Sequence, residues 1–247
     1  MEPKVRLYIQ GTPDNPTFDF CWSAKMGAEE RSAEVRYFES TNDIGGSPYN
    51  VIVGSVEECT NWLYTNGYKV PSQIPIELFS DWLGREFQIV PFETIDTLEY
   101  PRFIKPASQI KAFTGFVARN PNDAYICTEG YRGDLIIQTP VSIVSEYRMY
   151  INNHSIMGMR HYQGDCTRFP ETKFIRDCFE YSKSVLDYHS YTLDFGVLDS
   201  GETILVEPND GWAIGNYGIE PRDYWRFVKD RWLQITGIRK KMDYIFK

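Results

Sequence analysis

The sequence has no apolar run that approaches the length of a membrane-spanning helix, and its N-terminal residues lack the apolar core of a signal peptide. We therefore predict a cytoplasmic protein without a membrane partner. The five cysteines are odd in number and widely spaced, and the three histidines do not lie at metal-ligand spacings. Neither a disulfide framework nor a zinc site is predicted.

Basic charge is also scarce. The 26 lysines and arginines are outnumbered by 34 acidic residues, which gives a net charge of −8. This balance argues against a general nucleic-acid-binding protein, although it leaves room for a local basic cleft. The chain also lacks a Gly-x-Ser-x-Gly elbow and a Walker-type phosphate loop, and no cysteine has an obvious activating partner. Nucleophilic catalysis by a thiol is therefore not expected.

The first part of the chain alternates strand and helix patterns, which predicts an α/β lobe over residues 1–95. A capping box at Ser55-Val56-Glu57-Glu58 opens one helix, and Gly67 is well placed to end it. The other predicted elements are strands at residues 5–9, 34–38, 50–53 and 87–90 and a short helix at residues 76–83.

The second part, residues 96–247, reads as antiparallel strands with flanking helices, an α+β pattern. Prolines at 170 and 221 begin the two predicted helices, 171–189 and 222–234. The predicted strands are residues 102–105, 124–127, 135–138 and 143–151, a return strand at 155–160 after a turn at Asn152-Asn153, and a hairpin after residue 190.

The hairpin carries the clearest chemistry. If Ser200-Gly201 forms its turn, Asp194 lies directly opposite Glu207, and Asn209 points to the same face. Facing carboxylates are destabilising unless something neutralises them, and Mg²⁺ prefers the oxygen ligands that these residues supply. An ordinary solvated hairpin is the alternative, and a three-residue loop would shift the register by one and separate the pair.

The same register assigns the remaining hairpin side chains to two faces. Thr192 and Thr203 are predicted beside Asp194 on the polar face. The core face is predicted to hold Phe195, Val197, Ile204 and Val206.

Two lysines stand where a phosphate could bind. Lys105 emerges from the end of an apolar strand before Pro106, and a lysine there supplies a point charge on a long stem. Lys111 precedes Thr114-Gly115, where glycine allows close backbone approach to a phosphate. The alternative for Lys105 is a surface lysine on an edge strand.

Further candidates lie on the strands between. The strand running into Gln138, Thr139 and Val141 can offer backbone groups to an adenine edge, or it is simply a core strand ending at Pro140. Glu146 and Arg148 share a strand face. A two-residue turn puts Arg160 on the other face, whereas an odd-length loop or a bulge brings it to theirs.

Taken in order, these segments resemble the ATP-grasp superfamily, and most closely its clade characterised by two arginines and a lysine. The resemblance covers about residues 100–235. It is carried by FIKP at 103–106, KAFTG at 111–115, SEYRMYI at 145–151, MR at 159–160, LDFGVL at 193–198 and VEPND at 206–210. Two departures are the missing glycine-rich loop after FIKP and the proline at position 208.

The resemblance implies two α+β lobes that grip ATP, preceded by an α/β pre-domain. It implies a carboxylate–amine ligase that works through an acylphosphate, with ATP and two Mg²⁺ ions and with a small-molecule or peptide carboxylate and an amine as substrates. Arg148, Arg160 and Lys105 would be catalytic. ATP would be bound by Lys105, Lys111, Gln138, Thr139, Val141, Glu146 and Arg148, and Mg²⁺ by Asp194, Glu207 and Asn209.

Two other functions remain open at this point. One is an ATP-grasp kinase that phosphorylates a small-molecule acceptor, and the other is a nucleotide-binding protein without turnover. The sequence does not identify the substrate or the oligomeric state. Residues 211–217, with Trp212 and Tyr217, either form a substrate-facing loop or pack beneath the lobe.

Overall fold

A computed structural model describes residues 4–108 and 112–238. Its first sheet is parallel, in the order β2-β1-β3, and consists of β1 (Arg6–Gln10), β2 (Glu34–Phe38) and β3 (Asn50–Val53). Parallel neighbours need crossover connections, and these run through the helix α1 (Asp19–Glu30) and, beyond β2, a 3-10 turn at Thr41–Asp43. The predicted strands of this region are confirmed. Lys111 lies outside the described residues.

The helix α2 (Val56–Thr65) begins and ends as its sequence predicts. The Ser55 hydroxyl accepts a hydrogen bond from the Glu58 amide at 3.1 Å, which caps the first turn. Gly67 takes a positive φ of 74°, and the amide of the next residue, Tyr68, donates back to the Leu63 carbonyl. This is the Schellman arrangement that glycine permits after a helix.

The second sheet is antiparallel, in the order β4-β7-β5-β6. Its strands are β4 (Phe87–Val90), β5 (Arg102–Pro106), β6 (Phe116–Ala118) and β7 (Leu135–Gln138). β4, which the sequence analysis places in the first lobe, pairs with β7 of this sheet. The proposed boundary at residue 95 therefore separates two strands of one sheet, and the division into domains stays a prediction.

Two predicted elements of this region have a different form. Residues 124–127 are not a strand but the end of the helix α3 (Pro121–Cys127), because the Asn120 side chain caps the Asp123 amide and proline occupies the first turn. The helix predicted over residues 76–83 is a 3-10 segment, Ile76–Trp82, interrupted at Phe79. A further 3-10 segment spans Phe92–Thr97.

The third sheet is antiparallel, in the order β11-β10-β8-β9. Its strands are β8 (Ile143–Asn152), β9 (Ser155–Gly164), β10 (Ser190–Leu198) and β11 (Thr203–Asp210). The helix α4 (Thr172–Val185) precedes β10. It is shorter than predicted, since Leu186 is already extended and buried on the way into the strand.

The last helix, α5 (Pro221–Ile235), returns to the first sheet. Its Trp232 lies 5.6 Å from Trp62 of α2, measured between ring centroids, and both indoles are buried. Trp225 and Val228 are buried on the same helix, which confirms the predicted apolar spacing. The fold is thus α+β, as predicted. Within residues 4–108 and 112–238, no helix is both long and apolar enough to cross a membrane.

Candidate active site

The predicted facing pair on the hairpin is confirmed, although by a different route. Asp194 of β10 is the register partner of Glu207 on β11. The tip, however, is a three-residue loop over residues 199–201, because the Leu198 amide donates to the Glu202 carbonyl and Val197 pairs with Thr203, and Gly201 takes a φ of 92°. A bulge at Val206 then adds one residue to β11 and restores the register beyond it. The bulge cancels the shift that the three-residue loop introduces.

The observed register also shows that Thr203 and Ile204 were predicted on the wrong faces. Because Thr203 pairs with Val197, its side chain lies on the core face, where its hydroxyl accepts the Glu171 amide at 2.7 Å. Ile204 pairs with Gly196 and so shares the face of Asp194. Sequence periodicity alone places these two residues wrongly, since a bulge reverses the alternation on one side of it.

Each carboxylate of the pair is neutralised by a cation from a different strand. Arg148 of β8 holds Asp194 with two parallel hydrogen bonds, from Nε to Oδ1 at 2.8 Å and from a terminal nitrogen to Oδ2 at 2.6 Å. Lys105 of β5 reaches across from the second sheet, and its Nζ lies 3.1 Å from Glu207 Oε2. The two sheets therefore meet at this cluster.

Asn209 joins the two carboxylates. Its Nδ2 donates to Glu207 Oε1 at 3.1 Å and to Asp194 Oδ2 at 3.3 Å. All three predicted metal-binding residues thus lie together on one face, with their negative charge balanced by Lys105 and Arg148.

Burial and charge shift the pKa values of these carboxyls in opposite directions. Burial raises the pKa of Asp194 to about 6, with Arg148 opposing and Glu207 and Glu146 adding to the effect. Burial also acts against the Glu207 carboxylate, but Lys105 and Asn209 outweigh it, so that the pKa of Glu207 is lowered. Burial likewise disfavours the charge of Arg148, yet Asp194 raises the pKa of its guanidinium.

Arg160 lies on the face of Arg148, which is the arrangement predicted for a connection that contains a bulge. The β8–β9 turn falls at Asn153-His154, one residue later than predicted, and both residues have positive φ. A bulge at Met157 follows and makes Arg160 the register partner of Arg148. The Arg160 guanidinium donates to the carbonyls of Met159 and Gly218.

A second bulge in β9 introduces a residue that the sequence analysis missed. It falls at Tyr162, whose hydroxyl donates to Glu146 Oε2 at 2.6 Å. The Tyr162 ring stacks on Tyr217 with centroids 4.6 Å apart, and the Arg148 guanidinium lies 4.8 Å from the Tyr217 ring. Tyr217 thus lies against the charged cluster, whereas Trp212 packs with the buried residues of the first sheet and α5, and both residues line the cavity described below.

Gln138, at the end of β7, is almost fully buried. It lies two residues from Ile136 and so shares its face. The Thr139 amide donates to the Glu86 carbonyl at 3.0 Å and is therefore already used. Val141 is half-buried in the connection to β8.

Arg85 is the second residue that the sequence analysis missed. Its four hydrogen bonds go to Gln138 Oε1 and to the carbonyls of Leu83, Leu205 and Val206. These acceptors come from both antiparallel sheets and the turn before β4. A lone arginine in a turn carries no sequence signal for such a role.

A cavity of about 420 Å³ adjoins the cluster. Its charged wall includes Lys105, Arg148 and Glu207, and Tyr217 and Thr114 contribute polar groups. The wall from the first lobe consists of Val56, Gln73, Ile74 and Ile76. Among the described residues that line it is Ile136, on the face of Gln138, but not Gln138, Thr139 or Val141 themselves.

The donor set fits Mg²⁺ by its chemistry. Two carboxylates held face to face and a carboxamide are oxygen ligands of the kind that Mg²⁺ binds. Lys105 and Arg148 already place positive charge beside the two carboxylates. Among the described residues, no cluster of three or more histidine, cysteine, aspartate or glutamate side chains forms a site for a metal ion.

Solved structures with the same fold are ATP-dependent ligases and related ATP-grasp proteins. One is N5-carboxyaminoimidazole synthetase from Staphylococcus aureus, 13% identical over 96% of this chain and 78% of that one, with a TM-score of 0.56. A RimK-domain ATP-grasp protein from Sphaerobacter thermophilus is 13% identical over 94% and 99%, with a TM-score of 0.56. D-alanine–D-alanine ligase from Bacillus anthracis, complexed with ATP, is 9% identical over 94% and 98%, with a TM-score of 0.56.

These likenesses define the class by fold: the protein has the ATP-grasp fold. The family follows from the sequence, because the model of the ATP-grasp domain of the two-arginine, one-lysine clade, family 2, matches residues 82–227, more than half of the chain. The protein belongs to this family, as the motif order predicts. No curated protein matches the sequence.

Proposed function

We propose that the protein is an ATP-dependent carboxylate–amine ligase that forms an amide or peptide bond. The observation that carries this proposal is the cluster between the two antiparallel sheets, where Lys105 and Arg148 balance the carboxylates of Glu207 and Asp194. Bound Mg-ATP supplies both partners that such a cluster needs, phosphates for the cations and metal for the carboxylates.

In the proposed reaction, a carboxylate oxygen of the substrate attacks the γ-phosphorus of ATP and ADP leaves. The amine nitrogen then attacks the acyl carbon and loses a proton as phosphate departs. Neither step needs a nucleophile from the protein. Phosphoryl transfer depends mainly on positioning and charge neutralisation, so the residues act by holding charge.

We assign the following roles. Lys105 and Arg148 hold the phosphates, and Arg160, beside Arg148, helps to hold the acylphosphate. Glu146 binds the ribose, and the segment of Gln138, Thr139 and Val141 binds the adenine. Lys111 is proposed as a further phosphate ligand.

Asp194, Glu207 and Asn209 would hold Mg²⁺, which neutralises phosphate charge when bound. Asn209 now presents its Nδ2 to both carboxylates, so its amide must turn to offer Oδ1. Two ions are proposed. A reaction that consumes ATP suits the predicted cytoplasmic location.

The test measures ADP release with Mg-ATP over a panel of amino acids, peptides and amines. We expect release that requires both a carboxylate and an amine. Asp194→Asn should abolish it while the protein stays folded, because the pair then loses a charged oxygen ligand. Asp199→Asn, at the exposed tip of the same hairpin, is the matched control and should retain full activity.

Three results would contradict the proposal. Full activity of Asp194→Asn would remove the metal assignment. ADP release that needs an acceptor but no amine would indicate a kinase. A thermal shift with Mg-ATP but no hydrolysis with any substrate would indicate a nucleotide-binding protein without turnover.

A further inference from the structure

Arg85 makes contacts that are unusual for a charged residue. All four of its hydrogen bonds to described residues go to neutral oxygens: Leu83 O at 2.9 Å, Gln138 Oε1 at 3.0 Å, Leu205 O at 3.0 Å and Val206 O at 2.7 Å. Burial lowers the pKa of its guanidinium to about 10, with Glu207 and Glu146 acting in the other direction. Burying a guanidinium without a paired carboxylate carries a desolvation penalty, and its four hydrogen bonds fix the geometry of the groups that they join.

Two of these contacts hold the bulge in β11. Val206 is the extra residue of that strand, and Leu205 precedes it. Without the bulge, the register of the hairpin tip would continue, and Glu207 would no longer lie opposite Asp194. The rigid fork of the guanidinium binds the two carbonyls through two different nitrogens in a fixed geometry, which the single nitrogen of a lysine does not reproduce. Arg85 therefore supports the placement of Glu207.

The contact with Gln138 fixes the direction of its amide. Arginine only donates hydrogen bonds, so the oxygen of the amide must face it. The Nε2 group is then turned away from Arg85, and it has no hydrogen-bond partner among the described residues, although Gln138 is only 2% exposed. A buried donor without a partner is costly, and a ligand with an acceptor atom would satisfy it.

We propose that Arg85 is a positioning residue that sets two parts of the nucleotide site together. It holds Glu207 in register for the metal, and it directs Gln138 Nε2 towards a ring nitrogen of the nucleobase. This inference rests on the proposed function, because it needs a nucleotide between the sheets. It adds Arg85, which lies outside the predicted site, and it specifies that Gln138 donates a hydrogen bond to the base.

The test is Arg85→Lys, measured by binding without turnover. The first readout is the affinity for Mn²⁺ in the presence of a non-hydrolysable ATP analogue, measured by electron paramagnetic resonance. The second is the preference for ATP over inosine triphosphate, in which the ring nitrogen N1 becomes a donor. We expect Mn²⁺ affinity to fall at least tenfold and the preference to fall at least fivefold, because the freed amide can turn its oxygen to the base.

Two controls separate positioning from stability. Arg132→Lys makes the same change at an exposed arginine and should alter neither readout. Leu63→Ala leaves a void in the hydrophobic core beside α2, at a residue that does not line the cavity, and should lower the melting temperature without changing either affinity. If Arg85→Lys behaves like Leu63→Ala, the inference is wrong.

A second variant keeps the inference testable if Arg85→Lys does not fold. Gln138→Met removes the amide and retains the length of the side chain. It should lose the preference for ATP over inosine triphosphate but keep Mn²⁺ affinity within twofold, since Arg85 still holds the bulge. Equal loss of both would contradict the separate roles. If the native chain binds no ATP analogue, the proposed function itself fails, whereas binding that Arg85→Lys and Gln138→Met leave unchanged overturns this inference alone.

Discussion

The hairpin of β10 and β11 carries two buried arginine–aspartate pairs that differ in their surroundings. Arg148 binds Asp194 on one face, and Arg231 of α5 binds Asp210 on the other, each through Nε and a terminal nitrogen. The Arg231 guanidinium also lies 4.2 Å from the Tyr188 ring and donates to Gln234. In the Arg148 pair it is the arginine that lines the cavity, beside Glu207 and Lys105, whereas in the Arg231 pair it is Asp210. The same interaction therefore has neutral neighbours around its arginine in one place and a second ion pair beside it in the other.

The largest loss of unfolding free energy should come from breaking the pair of Arg231 and Asp210. Arg231→Ala leaves Asp210 buried without its cation, which should cost about 3–5 kcal/mol of unfolding free energy. Arg148→Ala should cost less, because Arg148 itself lines the cavity, so that its removal lets water reach Asp194, and because Asn209 Nδ2 still donates to the Asp194 carboxylate. Urea denaturation of both variants at neutral pH measures the difference. An equal or larger cost for Arg148→Ala would show that the two pairs are equivalent.

The pH dependence sharpens the same comparison. The folded pKa of Asp194 is about 6 and its ordinary value is 3.8, so the folded protein binds the proton more tightly. Its contribution to stability should therefore be greatest at acid pH and fall as pH rises from about 4 to 6, by at most about 3 kcal/mol. Asp194→Asn should remove this fall, and urea denaturation at several pH values measures it. Asp199→Asn should keep it, and a fall that survives in Asp194→Asn would contradict the assignment.

The smallest effect should come from an exposed pair. Lys173 and Asp177 form a salt bridge one turn apart on α4, with both side chains largely in solvent. Lys173→Ala should leave the unfolding free energy almost unchanged, because solvent and salt screen such pairs. Urea denaturation at low and high salt measures it. A loss comparable to that of Arg231→Ala would mean that burial does not separate these pairs.

The predictions from sequence succeeded where a pattern is local or repeated. Alternation along the strands, the capping box of α2 and the motif order identified most elements and the facing pair of Asp194 and Glu207. The predictions failed where a strand contains one extra residue. The bulge at Val206 reversed the faces of Thr203 and Ile204, and no composition marks it. Residues 124–127 were predicted as a strand because of their apolar content. They form the end of a helix because the Asn120 side chain caps its first turn.

The residues that the sequence analysis missed share another cause. Arg85 and Tyr162 gain their roles from partners on other strands, Gln138 and Val206 for the first and Glu146 for the second. Such contacts depend on how the sheets are brought together, which periodicity does not describe. The roles of the predicted site residues remain predictions until the binding and activity measurements are made.

The paired offsets in the hairpin have a consequence for how β11 can slide. The three-residue tip and the bulge at Val206 are compensating additions of one residue each. At the spacing that this chain has between Asp194 and Glu207, the two can face each other only if both offsets are kept or both are lost. Flattening the bulge alone would slide the strand by one residue and put Val206 opposite Asp194, so the hairpin contains an alternative register without the facing carboxylates.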